Sequence, residues 1–240
     1  MWIDDLIRLL PRDLRVQGTP EAALQRLERT LGRPLPATYR QFALWAGDTP
    51  PPFLELQGHD LSLPPILADY AAVTFHERTD CFRVGLSDSP DRFDLFLGLD
   101  GDDPALFMAE THELPAHPSY FIADHFSEFV TFALFERLVL ARCAYHVRVA
   151  PQVTVDVRAE LPDVDAAIHN HLRALGYDDL PPNRRLFLMA RGDVRLAYHR
   201  LPSNRSFVLH LGAPDLAAAE QLRDTLPVPA AISPASAARR

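Results

Sequence analysis

The 240-residue chain contains no lysine, and all 24 basic residues are arginine. With its abundant Ala, Pro and Leu, this bias reads as a GC-rich genome and not as a demand for phosphate recognition. Cysteine is nearly absent. Cys81 and Cys143 stand outside any C-x-x-C or His-containing ligand cluster; a single disulfide is open to them, and two buried thiols in a reducing compartment are the expected state. Ten glycines leave little material for a phosphate-cradling loop. The G-x-S-x-G elbow of a hydrolase is missing, and Gly85-Leu86-Ser87 precedes a turn instead of joining a strand to a helix. No run approaches the roughly eighteen apolar residues of a membrane span. The opening MWIDDLIRLLPRD lacks the basic start and small-residue cleavage site of a signal peptide, so a cytoplasmic location is expected.

What is present is acid. Net charge is −8, and it is unevenly spread. Residues 1–144 hold 12 Arg against 22 Asp and Glu, whereas residues 145–240 hold 12 against 10. The first part is therefore a poor surface for direct nucleic-acid binding. It suits a basic protein, because complementary fields speed encounter and reject like-charged partners. Hydrophobic residues make up 48%, enough for one large core or two small ones.

Residues 21–47 read EAALQRLERTLGRPLPATYRQFALWAG. Leu24, Leu27 and Leu31 are spaced as one buried helical stripe. Gly32 suits the left-handed position past a helix end, and Pro36 fits the first turn of the next helix. Tyr39, Phe42, Ala43, Trp45 and Ala46 form a second apolar stripe, closed by Gly47. The residues alone describe a helix–turn–helix packing unit, with its aromatics in a core. The wording goes further. An amphipathic helix followed by Leu31-Gly32, Leu35-Pro36, Tyr39 and Phe42, then a turn at Gly47, resembles the opening of the SUKH superfamily (Smi/Knr-like). That family includes many bacterial immunity proteins that neutralise secreted toxins, and a fungal regulator of cell-wall synthesis. This chain departs from the pattern at Thr38, where an acidic residue often precedes the Tyr, and at Gly47-Asp48, where a Gly pair is common.

Along the rest of the chain, a short helix is expected at 2–10, then a strand near Phe53–Leu56, a turn at Gly58–Asp60 and a helix over 66–79. Residues 81–113 read as three antiparallel strands, CFRVGLS, RFDLFLGLD and ALFMAETHE, joined by the turns SDSPDR and Gly101–Pro104. A helix over about 124–142 follows, capped by Asp124 or Ser127. This order, with Phe126 and Phe129 opening the last helix, also resembles SUKH, so the likeness covers about residues 18–142. Composition shifts near 145–152. Beyond it come a strand at 153–158, a helix capped by Asp163 and ended by Gly176, a hairpin about Gly192-Asp193, a strand at Phe207–Leu211, and a helix capped by Asp215. The fold class is thus α+β. A SUKH-like domain of antiparallel sheet and flanking helices spans 1–144. A small two-layer β-α-β-β-β-α domain spans 145–226, and a flexible tail spans 227–240.

No catalytic, cofactor or metal constellation emerges. Asp100-Gly-Asp-Asp-Pro lacks the ligand order of a calcium loop. His169 and His171 on one helix point about 200° apart and cannot share an ion. His112 and His117 flank a loop but lack two further ligands. The candidates that remain are acidic turn residues, Asp88, Asp91, Asp94, Asp100, Asp102 and Asp103, as a face presented to a basic protein. The expected function is that of a non-enzymatic immunity protein that binds and neutralises a cognate secreted toxin. A regulatory scaffold of the Smi/Knr-like type is the alternative, and an enzyme with an unrecognised site the third reading.

Overall fold

The structure, a computed structural model, describes residues 2–49, 53–56, 58–72, 80–87, 93–110, 120–151, 160, 163–180, 186–200 and 207–234. It is α+β. The chain divides into two compact units, one of Met1–Ile3 with Asp13–Ala133, the other of Asp4–Arg12 with Leu134–Arg240. The sequence marks its boundary at 144, whereas the compact units part inside a helix. No helix among the described residues is long and apolar enough to cross a membrane.

The first unit is built on the two-helix segment. Helix α1 (Trp2–Leu9) falls mostly in the other unit, and α2 (Glu21–Leu31) and α3 (Ala37–Ala46) open this one. Leu24 and Leu27 of α2 are fully buried, while Leu31 is only half-buried. Gly32 takes φ 70° and its N–H returns to the Glu28 carbonyl, the left-handed stop that a side chain would strain. Pro36 sits one residue ahead of α3, with extended backbone. Tyr39 and Phe42 are each 1% exposed. Tyr39 meets Phe82 edge-on at 4.9 Å and Phe126 at 5.4 Å, and Phe42 meets Phe126 at 5.5 Å. Such pairs contribute about 0.5–1.5 kcal/mol each beyond area burial. Trp45 is half-buried at the margin of this cluster, against Phe42 and Phe53.

A six-stranded antiparallel sheet completes the unit in simple sequential order, β1 (Glu55–Leu56), β2 (His59–Asp60), β3 (Cys81–Ser87), β4 (Phe93–Gly98), β5 (Leu106–Glu110) and β6 (Tyr120–Ala123). The expected turn at 58–60 is a tighter device, a two-residue pairing of β1 with β2 around Gly58. Helix α4 spans Leu63–Ala72, three residues earlier than expected, and residues 73–79 lie outside the described residues. Helix α5 spans Phe126–Leu138 and is followed by a single 3-10 turn, Leu140–Arg142.

The second unit carries another six-stranded antiparallel sheet, in the order β12-β7-β11-β10-β9-β8. Its strands are β7 (Tyr145–Pro151), β8 (Asp178–Leu180), β9 (Phe187–Arg191), β10 (Val194–Arg200), β11 (Phe207–Ala213) and β12 (Ala230–Pro234). Helices α6 (Val164–Ala174) and α7 (Leu216–Thr225) cover one face. The Asp163 and Asp215 carboxylates accept from Ala166 and Ala218 N–H groups, capping these helices as expected. Ile168, Leu172, Ala219 and Leu222 from the helices bury against Val147, Val149, Leu196, Leu209 and Leu211 from the strands.

Three expectations for this unit change. Strand β7 occupies 145–151, where the composition marks only a boundary; the expected strand at 153–158 lies outside the described residues. Residues 230–234, expected as part of a flexible tail, form β12 and pair with β7 from Ala230↔Pro151 to Pro234↔Val147. A short, uncharged segment suffices there, because β7 offers it a full row of backbone partners. Strand β8 was missed because Asp178-Asp179 hides a three-residue pairing with β9.

Gly212 fixes the opposite face of this sheet. A Cβ there would stand 2.5 Å from Cys143 Sγ and 3.3 Å from Leu140 Cα, so the 3-10 turn lies against β11 only because position 212 has no side chain. Gly212→Ala should cost about 1–3 kcal/mol in urea denaturation, as an overpacked contact does. Adding Cys143→Ala to it should restore part of that loss.

Candidate functional site

The sequence-derived candidates fall in the first unit, and the structure separates them. Strand β4 rises about 3.3 Å per residue, so its ends stand roughly 17 Å apart. Asp94 lies near one end and Asp100, Asp102 and Asp103 lie beyond the other. Asp94 and the group at 100–103 therefore stand at opposite ends of β4 and do not form one face. Asp88 and Asp91 lie outside the described residues.

Asp94 is corrected from a surface candidate to a core residue. It is 3% exposed, and its Oδ2 accepts from Arg83 Nη1 at 3.0 Å while Oδ1 accepts from the Ser87 N–H at 2.9 Å. Arg83, equally buried, also reaches Asp69 of α4 at 3.0 Å. Strand β4 is buried on both faces, so its one charge must be matched from the neighbouring strand.

The turn after β4 has a different role from the one its acidity suggests. Its backbone and one of its carboxylates serve helix ends. The Asp102 carbonyl accepts from both the N–H and the hydroxyl of Thr38, at 3.0 and 2.9 Å. The Thr38 hydroxyl can donate to that carbonyl, which a carboxylate at the same position could not. The Asp103 carboxylate accepts from the Ser127 N–H at 3.0 Å and from the Ser127 hydroxyl. Phe126 N–H donates to the Pro104 carbonyl at 3.0 Å. Thus the turn supplies acceptors to the first residues of both α3 and α5, whose early N–H groups have no partner within the helix. Arg33 completes the clamp, donating to the Leu99 carbonyl at 3.3 Å and to Asp100 at 2.9 Å.

Asp103 is therefore corrected too: it holds α5, with a side chain 18% exposed. The carboxylates left facing solvent are Asp100, 86% exposed, and Asp102. They sit on a backbone tied down on both sides, which makes a rigid anionic tip. A second exposed feature lies at the end of the same sheet. Tyr120 and Phe121 on β6 are 55% and 36% exposed, set edge-on against Phe93 and Phe107.

The second unit holds a group of side chains that sequence reasoning missed. Glu136 of α5, His146 of β7 and His210 of β11 converge, with one donor atom from each all within 4.8 Å of one another. In the β7–β11 register, His146 faces Gly212 and Arg148 faces His210, so both histidines lie on the sheet face away from Val147, Val149, Leu209 and Leu211. Burial raises the Glu136 pKa, but the His210 hydrogen bond and the charges of His210, His146 and Arg148 outweigh it and hold the carboxyl below its usual value. Burial lowers the His146 pKa; the Glu136 charge opposes that and His210 adds to it. The alternation in YHVRVAP, with Val147 and Val149 between His146 and Arg148, was the available signal. Another histidine–acid pair, His169 with Asp179 at 2.7 Å, stacks on Phe187 with ring centroids 4.4 Å apart. His112 and His117 lie outside the described residues.

No protein-family model matches the chain, and no curated protein sequence matches it significantly.

The clamp separates the aspartates experimentally. Asp103→Ala should lower unfolding free energy by about 1 kcal/mol, as loss of a helix cap does. Asp100→Ala should change it by less, since exposed ion pairs contribute about 0–1 kcal/mol. Asp94→Ala, which removes one of the two carboxylate partners of the buried Arg83, should cost the most of the three, about 3 kcal/mol. Chemical denaturation of the three variants checks the ranking.

Proposed function

We propose that this chain is a SUKH-like immunity protein of the cytoplasm, which binds a cognate basic toxin domain and neutralises it without chemistry of its own. The observation that carries the reading is the clamped acidic turn at 99–104. A partner that meets it finds two exposed carboxylates, Asp100 and Asp102, on a backbone already held by Thr38 and Ser127. Little loop entropy is then lost on binding, and binding to rigid groups is stronger for it. The net charge of −10 over residues 1–144 extends the same sign beyond the turn, which favours fast, salt-sensitive association with a basic surface. The resemblance of residues 31–47 to the SUKH opening supports the same assignment. The exposed aromatics Tyr120 and Phe121 add the side-chain type enriched in protein interfaces.

Co-expression with the product of the adjacent gene tests it. The wild-type chain should restore growth and form a stable complex. The double variant D100R/D102R should keep its fold and lose about tenfold in association rate at low salt. An unchanged on-rate rejects the acidic turn as the steering surface. Failure of any neighbouring product to be toxic, with several housekeeping proteins co-purifying instead, would replace immunity by the scaffold role.

A further inference from the structure

We infer that Glu136, His146 and His210 form a binding site for a divalent transition metal of the zinc class. This stands on the second unit alone and is independent of the toxin-binding reading. Two imidazoles and one carboxylate are a donor set that suits zinc, and the three-ligand count leaves one position for water. Glu136 Oε1 lies 2.7 Å from His210 Nδ1 and 3.9 Å from His146 Nε2. Zinc bonds of about 2.0–2.2 Å place tetrahedral donors about 3.3 Å apart. One separation therefore opens by about 0.6 Å and another closes by about 0.6 Å. One nitrogen from each histidine and one Glu136 oxygen lie within 4.8 Å of one another, so the histidine pair closes by at most about 1.5 Å.

Two further observations favour a cation over a plain histidine–glutamate contact. His146 Nε2 is buried and has no hydrogen-bond partner among the described residues, a costly arrangement that ligation would relieve. The donors also sit on rigid supports. His146 and His210 are held by paired strands in fixed register, and Glu136 lies in the last turns of α5, just ahead of the 3-10 turn that Gly212 admits against the sheet. Preorganised ligands lose little entropy when they close on an ion. Arg148 lies on the same sheet face, and its charge acts on Glu136. It opposes a dication and moderates the affinity without supplying a donor.

The test uses the full chain, free of any histidine tag and stripped with chelator, titrated with Co2+ and separately with Zn2+. We expect one Co2+ per chain with the intense absorption of a tetrahedral site, displaced by Zn2+, and a rise in melting temperature with Zn2+. His146→Ala and Glu136→Gln should each weaken binding at least tenfold. His169→Ala, which removes a histidine outside the group, should leave it unchanged. Melting in chelator shows that each variant is folded, and His210→Ala provides a further variant should one of the first two not fold. The inference is overturned if the wild-type chain gives no tetrahedral spectrum and no zinc-dependent shift in melting. It is equally overturned if folded Glu136→Gln and His146→Ala bind as the wild type does, or if His169→Ala abolishes binding.

Discussion

Every helix begins with N–H groups that its own turns cannot satisfy, and in the first unit one short turn satisfies them for two helices. The carbonyl of Asp102 serves Thr38 at the start of α3, and the carboxylate of Asp103 with the carbonyl of Pro104 serves Ser127 and Phe126 at the start of α5. The aromatic contacts of Tyr39 and Phe42 with Phe126 depend on this arrangement, because both helices must enter the core at fixed points. The turn is rigid for a structural reason. Its outward carboxylates are consequently fixed in space, and a structural constraint thereby produces a surface that could be recognised.

This division of labour explains what was readable in the sequence. The stop at Gly32, the buried pair Tyr39 and Phe42, and the caps at Asp163 and Asp215 were legible, because each depends on near neighbours in the chain. So were β3, β4 and β5, whose apolar patterns are strong. Which aspartates face solvent was not legible. Asp94, Asp100, Asp102 and Asp103 are chemically alike, and their fates are set by partners far away in sequence: Arg83, Arg33, Thr38 and Ser127. An opposite charge buried in each of two adjacent apolar strands, Arg83 and Asp94, was the one hint that the acid cluster would divide.

The second unit shows the same principle in a sheet. Alternation sends Val147 and Val149 to the helix-covered face and His146 and Arg148 to the other. Once β7 is recognised, the convergence of His146 with His210 follows from its register with β11. Glu136 could not be foreseen, since its approach depends on the missing side chain at Gly212 and on the turn that packs there. The pairing of β12 with β7 was hidden for a related reason. A strand that borrows its order from a neighbour needs little pattern of its own.

The dual role of the turn is most directly tested by residue-resolved amide hydrogen exchange at Thr38 and Ser127. Both amides stand at helix starts, where exchange would ordinarily be fast. The account requires both to be protected to a degree comparable with the strand amides of β4 and β5. Exchange of either amide at the rate of an unstructured peptide, in a chain whose sheet remains protected, would contradict it.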